Sequence, residues 1–468
     1  MKRVYVYKLF LLAFRLSLIA ILTGLFMGCE SFVEVDLPDD QLYGESVFNE
    51  ETTATAALNA IYAAYRDNTL LTGKIFGMSY LLGHYSDELT LYTLSLPDVE
   101  EFNSNAVLAT NTLIENQWNN SYNLIYQANS ILEQIEAGSQ LENLVAQQLK
   151  GEALFNRALI HFYLMNLFGE IPYVRTSNYQ ENTNPTRLSE AEVIEELISD
   201  LEKSFSLLGE SYNNLNRTRP NKWTCSALLA KVYLYAEDWE AASSEATQIL
   251  KQTGLYTLED DLDAVFLKDS RETLWQLSAA NAGGNTIEAT NFIFVQTPPP
   301  DSALSENLLN AFEAGDERAT SWIGYLSDGN TTYAYPNKYK ENTNTGTSVE
   351  LSIVTRLAEV YLIRAEAQAR LNNTTLALQD LNQIRRRGGL ADLKATAGLK
   401  LLDAILVERQ RELFTEHGHR FLDLKRIGKV DEVLGTLKNG WESTDRVLPI
   451  PQNELEINPN LQPQNPGY

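Results

Sequence analysis

The chain has four histidines, and His417 and His419 lie two positions apart with Glu416 and Asp423 close by. That grouping invites a metal site or an acid–base pair. Side chains at i and i+2 leave a helix on different faces, however, and the His-Glu-x-x-His spacing of zinc proteases is absent. The expectation is a structural role for the cluster. Paired carboxylates could hydrolyse a glycosidic bond. With 62 acidic residues, though, close pairs arise by chance, and no spacing singles one out. There is no Gly-x-Ser-x-Gly elbow and no phosphate loop. The reading is no catalytic set, no cofactor and no metal site.

Binding asks for other residues. Sugars present apolar C–H faces ringed by hydroxyls. Flat aromatic rings match the faces, and Asn, Asp, Gln and Arg match the hydroxyls. Two irregular stretches carry this mixture. Residues 67–112 are broken by Gly73, Gly77, Gly83 and Pro97 and contain Asp87, Tyr92, Phe102 and Asn103. Residues 271–347 contain Asn281-Ala-Gly-Gly-Asn, Pro298 to Pro300, and Phe292, Trp322, Tyr333 and Tyr335. Those eight residues are the candidate ligand contacts. Long irregular segments on a rigid frame are where binding groups concentrate.

The frame reads as helical. Ala54, Leu58, Ile61 and Tyr65 repeat at helical spacing over 50–66, and Trp118, Tyr122, Ile125 and Leu132 line a second helix. A third spans about 143–168, ended by Gly169 and Pro172. Ser189 and Glu192 form a capping box for a fourth. Residues 222–251 read as a helical hairpin turning at Asp238-Trp239, and 351–387 as a similar one. Their small residues permit close helix approach, as in tetratricopeptide repeats. In the insert, 273–277 and 292–295 read as short strands. The proline-rich tail after Leu448 is expected to run extended.

Net charge is −25, from 37 basic and 62 acidic residues, which excludes nucleic acid as a partner because phosphate binding needs a basic surface. Lys2, Arg3, Lys8 and Arg15 precede a twelve-residue apolar run, Leu16 to Met27. That run suits an export signal and is too short to span a bilayer. It ends at Gly28-Cys29, which looks like a lipoprotein box, with Phe26 and Met27 where small residues are common. Cys29 is the expected lipid acceptor. The expected organisation is a signal at 1–28, an acidic tether at 29–49 and one helical unit at 50–468. That unit has an N-terminal part to about 260, a C-terminal part from about 261, and an insert at about 271–347. With Cys29 lipidated, only Cys225 remains, so no disulfide supports the fold.

Near the C-terminus, Glu408-Arg-Gln-Arg-Glu-Leu413 is followed by His419-Arg-Phe-Leu-Asp-Leu-Lys-Arg426. An apolar helix face with these ions beside it implies a docked helix and a buried ion network. This order resembles the signature of the SusD/RagB family of nutrient-binding lipoproteins. So do Gly151-Glu-Ala-Leu-Phe-Asn-Arg-Ala into Phe168-Gly-Glu-Ile-Pro172, Asp316 with Arg318, Asn382-Gln-Ile-Arg-Arg-Arg-Gly-Gly-Leu390, and the terminal Gln-Asn-Pro-Gly-Tyr468. The resemblance implies an all-α fold: tetratricopeptide-like hairpins in a right-handed scaffold, with a loop-rich insert and few short strands. It implies a lipid-anchored outer-membrane protein facing the cell surface. Such a protein captures an oligosaccharide without catalysis and delivers it to a SusC-like TonB-dependent transporter. The alternatives are a tetratricopeptide-type protein scaffold, a binder of peptide-like cargo and, behind these, a glycoside hydrolase.

Overall fold

Helix α5 (Asn143–Phe168) is buried almost all round from Leu149 onward, which makes it the centre of the molecule. It is flanked by α4 (Thr112–Glu136) and α6 (Glu190–Leu207). Its buried polar residues are each hydrogen-bonded. Arg157 grips Asp200 of α6 through two bonds of 2.7 Å and also reaches Asn129 of α4, while Arg219 and Tyr62 converge on Glu152. Tyr62 belongs to α1 (Glu51–Asp67). The Ser189–Glu192 capping box starts α6 as expected.

The structure is a computed structural model that describes residues 6–8, 10, 44–93, 95–394 and 397–468. Cys29 and the stretch expected as the end of the export signal lie outside the described residues. Residues 6–8 and 10 are helical and exposed. Within the expected tether, Gly44–Asn49 forms a short 3-10 helix. Val47–Tyr468 forms one compact unit.

The fold is helical with a few short strands. Two hairpins, α7 (Lys222–Tyr235) with α8 (Trp239–Leu250) and α12 (Leu357–Arg370) with α13 (Thr374–Arg387), pack together through small residues such as Ala227, Ala230, Ala242, Ala246 and Ala367. The second hairpin begins later than its sequence suggests. Ser352–Arg356 is strand β6, paired antiparallel with β2 (Thr273–Leu277). Two other antiparallel pairs are β1 (Leu89–Leu91) with β3 (Ser302–Leu304) and β4 (Ile323–Ser327) with β5 (Thr332–Pro336). The strand expected at 292–295 does not form. Instead α9 (Ile287–Phe292), capped by Thr286, ends there. In the tail, Pro451 precedes a short helix, α17 (Gln452–Ile457), because proline is tolerated where the first N–H groups need no partner.

Helix α14 (Leu399–Leu413) carries the ion network foreseen in its sequence. Glu412 is fully buried and receives Arg318 at 3.0 Å, Arg356 at 2.5 Å and Arg387. Arg318 also binds Asp316 at 2.8 Å and Glu408 at 2.7 Å, and Arg356 binds Glu416 at 2.8 Å. Glu272 of the β2 end joins through Arg387. Burial alone would raise the Glu412 carboxyl. Arg387, Arg356 and Arg318 outweigh it and hold the group well below the usual carboxylate range. Gly388 lets the backbone reach this cage, since a Cβ there would sit 2.9 Å from Arg318 Nε. Removing one member of such a cluster strands buried charge. Glu412→Gln should therefore lower unfolding stability by about 3–5 kcal/mol in denaturant titration. Arg386→Ala, which breaks the exposed pair with Asp392, should cost less than about 1 kcal/mol. Equal effects would contradict this description.

Candidate functional site

The C-terminal helices reach directly to the first irregular segment. Arg420, on α15 (His419–Arg426), binds both oxygens of Asp87 at 2.8 Å. The Thr415 amide donates to the Glu88 side chain at 3.2 Å, and the Ser305 amide donates to the Glu88 carbonyl at 2.9 Å. These contacts fix the start of β1, and β1 leads to Tyr92, whose amide donates to the Asp301 carbonyl at 2.7 Å. Burial, with adjacent Asp87 as a second cause, pushes the Glu88 carboxyl up to about 8.

Tyr92 is 45% exposed, and its ring meets Tyr333 edge-on at 5.4 Å. Tyr333 and Tyr335 project from the same face of β5 because they are two apart. The register places Leu326 opposite Tyr333 and Gly324 opposite Tyr335. The Tyr335 ring lies on that glycine, where a Cβ would come within 2.3 Å of it. Phe294 braces the other side of Tyr335 edge-on at 5.1 Å. The β4–β5 turn is held by Asp328 Oδ1, which accepts from the Asn330 and Thr331 amides at 2.8 Å each. Tyr92, Tyr333 and Tyr335 thus form a half-exposed aromatic platform on two short sheets.

The other five candidate contacts lie elsewhere. Asp87 is buried, and Arg420 occupies both of its oxygens. Phe102 is buried against Tyr85. Phe292 stacks on Tyr80 at 6.0 Å in the core. Trp322 is fully buried, donates to the Leu262 carbonyl at 3.0 Å, and covers Lys338, Arg356 and Arg387 with its ring. Asn103 is half-buried and bonds Glu100 at 3.4 Å. The physical reason is the same for the three aromatics: an irregular segment still needs its own core, and the largest rings fill it. Phe294, Gly324 and Leu326 complete the platform and were not foreseen. Only the β4–β5 register brings the last two to it.

The histidines are buried without exception. His417 Nε2 lies 2.9 Å from the Ile353 carbonyl, and burial lowers both His417 and His419. His84 Nε2 meets Ser302 Oγ at 2.7 Å. Among the described residues, no three His, Cys, Asp or Glu are grouped to hold a metal ion.

Two family models match the chain. One, described as starch-binding associating with outer membrane, covers residues 32–234, and the other, the SusD family, covers 308–468. The chain belongs to the SusD/RagB family. A SusD-like protein of Formosa agariphila is 26% identical over 97% of this chain and 99% of its own length. A SusD superfamily protein from Bacteroides vulgatus superposes with a TM-score of 0.79 at 22% identity, over 90% of this chain and all of that one. A laminarin-binding SusD-like protein does so with a TM-score of 0.74 at 22% identity, again over 90% and 100%. This SusD/RagB chain therefore shares its fold with proteins only 22% identical in sequence.

The frame also yields a pH test. His161 on α5 donates from Nδ1 to the Arg157 carbonyl at 2.8 Å and accepts the Val174 amide on Nε2 at 3.2 Å, which fixes it neutral. Burial lowers its pKa to about 3. The unfolded chain takes up this proton near 6.5 and the folded chain does not, so stability falls as pH drops through that window. Between pH 7 and 4.5 the wild type should lose about 2.5 kcal/mol more than His161→Gln. Parallel loss in both proteins would refute the assignment.

Proposed function

We propose that this chain captures an oligosaccharide on the Tyr92–Tyr333–Tyr335 platform and passes it intact to a SusC-like TonB-dependent transporter. In this reading, lipid on Cys29 holds the protein at the outer-membrane surface. The observation that carries the reading is the platform itself. Tyr92 is exposed, Tyr333 and Tyr335 stand part-exposed on the neighbouring strand, and the Tyr335 ring lies over Gly324. Hexose C–H faces match such rings, and edge hydroxyls find the polar groups of the surrounding turns. The family's starch-binding description and the laminarin-binding neighbour support a carbohydrate as cargo. The buried, neutral histidines support binding without bond cleavage.

The test is an affinity measurement on the protein lacking residues 1–29, against maltohexaose, laminarihexaose and a wider glycan array. Tyr92→Ala, Tyr333→Ala and Tyr335→Ala combined should weaken platform binding at least tenfold, which is about 1.4 kcal/mol, with no reducing ends released from any sugar bound. Gly324→Ala should weaken it as well by lifting Tyr335. Undiminished affinity in the triple variant would remove the platform from the account, and released reducing ends would remove the non-catalytic reading.

A further inference from the structure

A second cleft, built from none of the platform residues, lies between α4, residues 172–185 and α17. Its volume is about 360 Å³, within the range of ligand pockets. Trp118 and Tyr122 line its inner side, their ring centroids 4.9 Å apart. Tyr126 and Tyr179 stand at its walls, 53% and 77% exposed. Neither of those rings packs against another ring among the described residues. A water-facing tyrosine pair beside a lined cavity leaves apolar area uncovered that the fold itself does not use.

The cleft is preformed. Glu133 accepts from Thr176 Oγ1 at 2.7 Å and from the Ser177 amide at 2.8 Å. Asn129 donates to the Val174 and Thr176 carbonyls, and Tyr122 donates to the Pro172 carbonyl at 2.9 Å. Asn458 donates to the Pro185 carbonyl at 2.9 Å. The 172–185 wall is thus clamped at both ends to helices and tail, so a ligand need not order it.

Its chemistry narrows the ligand. The lining has no Lys or Arg, and Glu454 is its only charged residue. An anionic ligand would meet a carboxylate and no counter-charge. Asn119, Asn182, Ser177 and Thr183 place amides and hydroxyls among the rings, which does not suit a purely apolar ligand. The cavity is compact, unlike the extended groove or open strand edge that a peptide uses. We infer that this cleft is a second carbohydrate site, taking a neutral oligosaccharide between Tyr126 and Tyr179. The inference rests on reading the chain as a glycan binder but not on the platform. Two sites on one protein would also raise its hold on a long polymer by avidity.

The experiment uses the protein lacking residues 1–29 and two variants. One carries Tyr92→Ala, Tyr333→Ala and Tyr335→Ala, and the other carries Tyr126→Ala and Tyr179→Ala. Both cleft tyrosines are exposed, so the second variant should keep the wild-type unfolding temperature. Neutral, sulfated and uronic oligosaccharides are arrayed on each, and hits are titrated by calorimetry. The platform variant should retain a neutral glycan that the cleft variant binds at least tenfold more weakly than wild type. The inference is overturned if platform loss abolishes all glycan binding, in which case the platform reading stands alone. It is also overturned if retained binding ignores Tyr126 and Tyr179, if only anionic glycans or peptides respond to those substitutions, or if no neutral glycan binds the wild type. Loss with the cleft pair alone would sustain the cleft and remove the platform.

Discussion

Glu412 sits at the point where the chain's distant parts are joined. Its carboxylate is buried with no solvent to stabilise it, so its three guanidiniums must stay in place. They come from the turn at 316–318, from the end of β6 and from the end of α13. Each is also bound by another acid, Asp316, Glu416 or Glu272. A cluster of this kind costs much to assemble and more to break. It therefore sets register among segments that local hydrophobic pattern alone does not align.

The platform inherits its position from that constraint by two routes. Trp322 lies over the guanidiniums, and the next residue, Ile323, begins β4, so the roof of the network is one peptide from the hairpin that carries Tyr333 and Tyr335. Arg420 and Thr415 hold Asp87 and Glu88 just ahead of β1, which carries the chain to Tyr92. Tyr92 is some 240 residues from Tyr333 and Tyr335 in sequence, yet β1, which leads to it, and the β4–β5 hairpin are pinned to the same helical end. Preorganisation of this sort matters for a weak, polar ligand such as a sugar, because loops ordered on binding would consume the available affinity.

Much of this was legible in the sequence, and the exceptions share a cause. The long helices showed in apolar spacing and caps, and α5 and the Ser189 capping box appear as read. The Glu408–Glu412 charges read correctly as buried ions because an apolar face ran beside them. Residue type could not say which loop aromatics face water. Phe102, Phe292 and Trp322 look like Tyr92 and Tyr333 in a list, but they are drawn inward by partners more than a local window away. Asp87 was read as a free hydrogen-bonding group because Arg420, which occupies it, is 333 residues distant. Gly324 becomes meaningful only once β4 and β5 are in register. The start of α12 was misread because Val354, in β6, stands three and four residues before Leu357 and Ala358 and so falls in with the helical spacing.

A stiff frame with cargo held on its surface predicts a particular pattern of amide hydrogen exchange. With a glycan from the array bound at saturation, protection should rise at 91–93, 293–296 and 324–335. Amides of 408–423 should already exchange slowly and should not change. Ligand-induced change concentrated at 86–88 and 408–423 would mean that the buried ion cluster opens to admit cargo. That result would contradict the account.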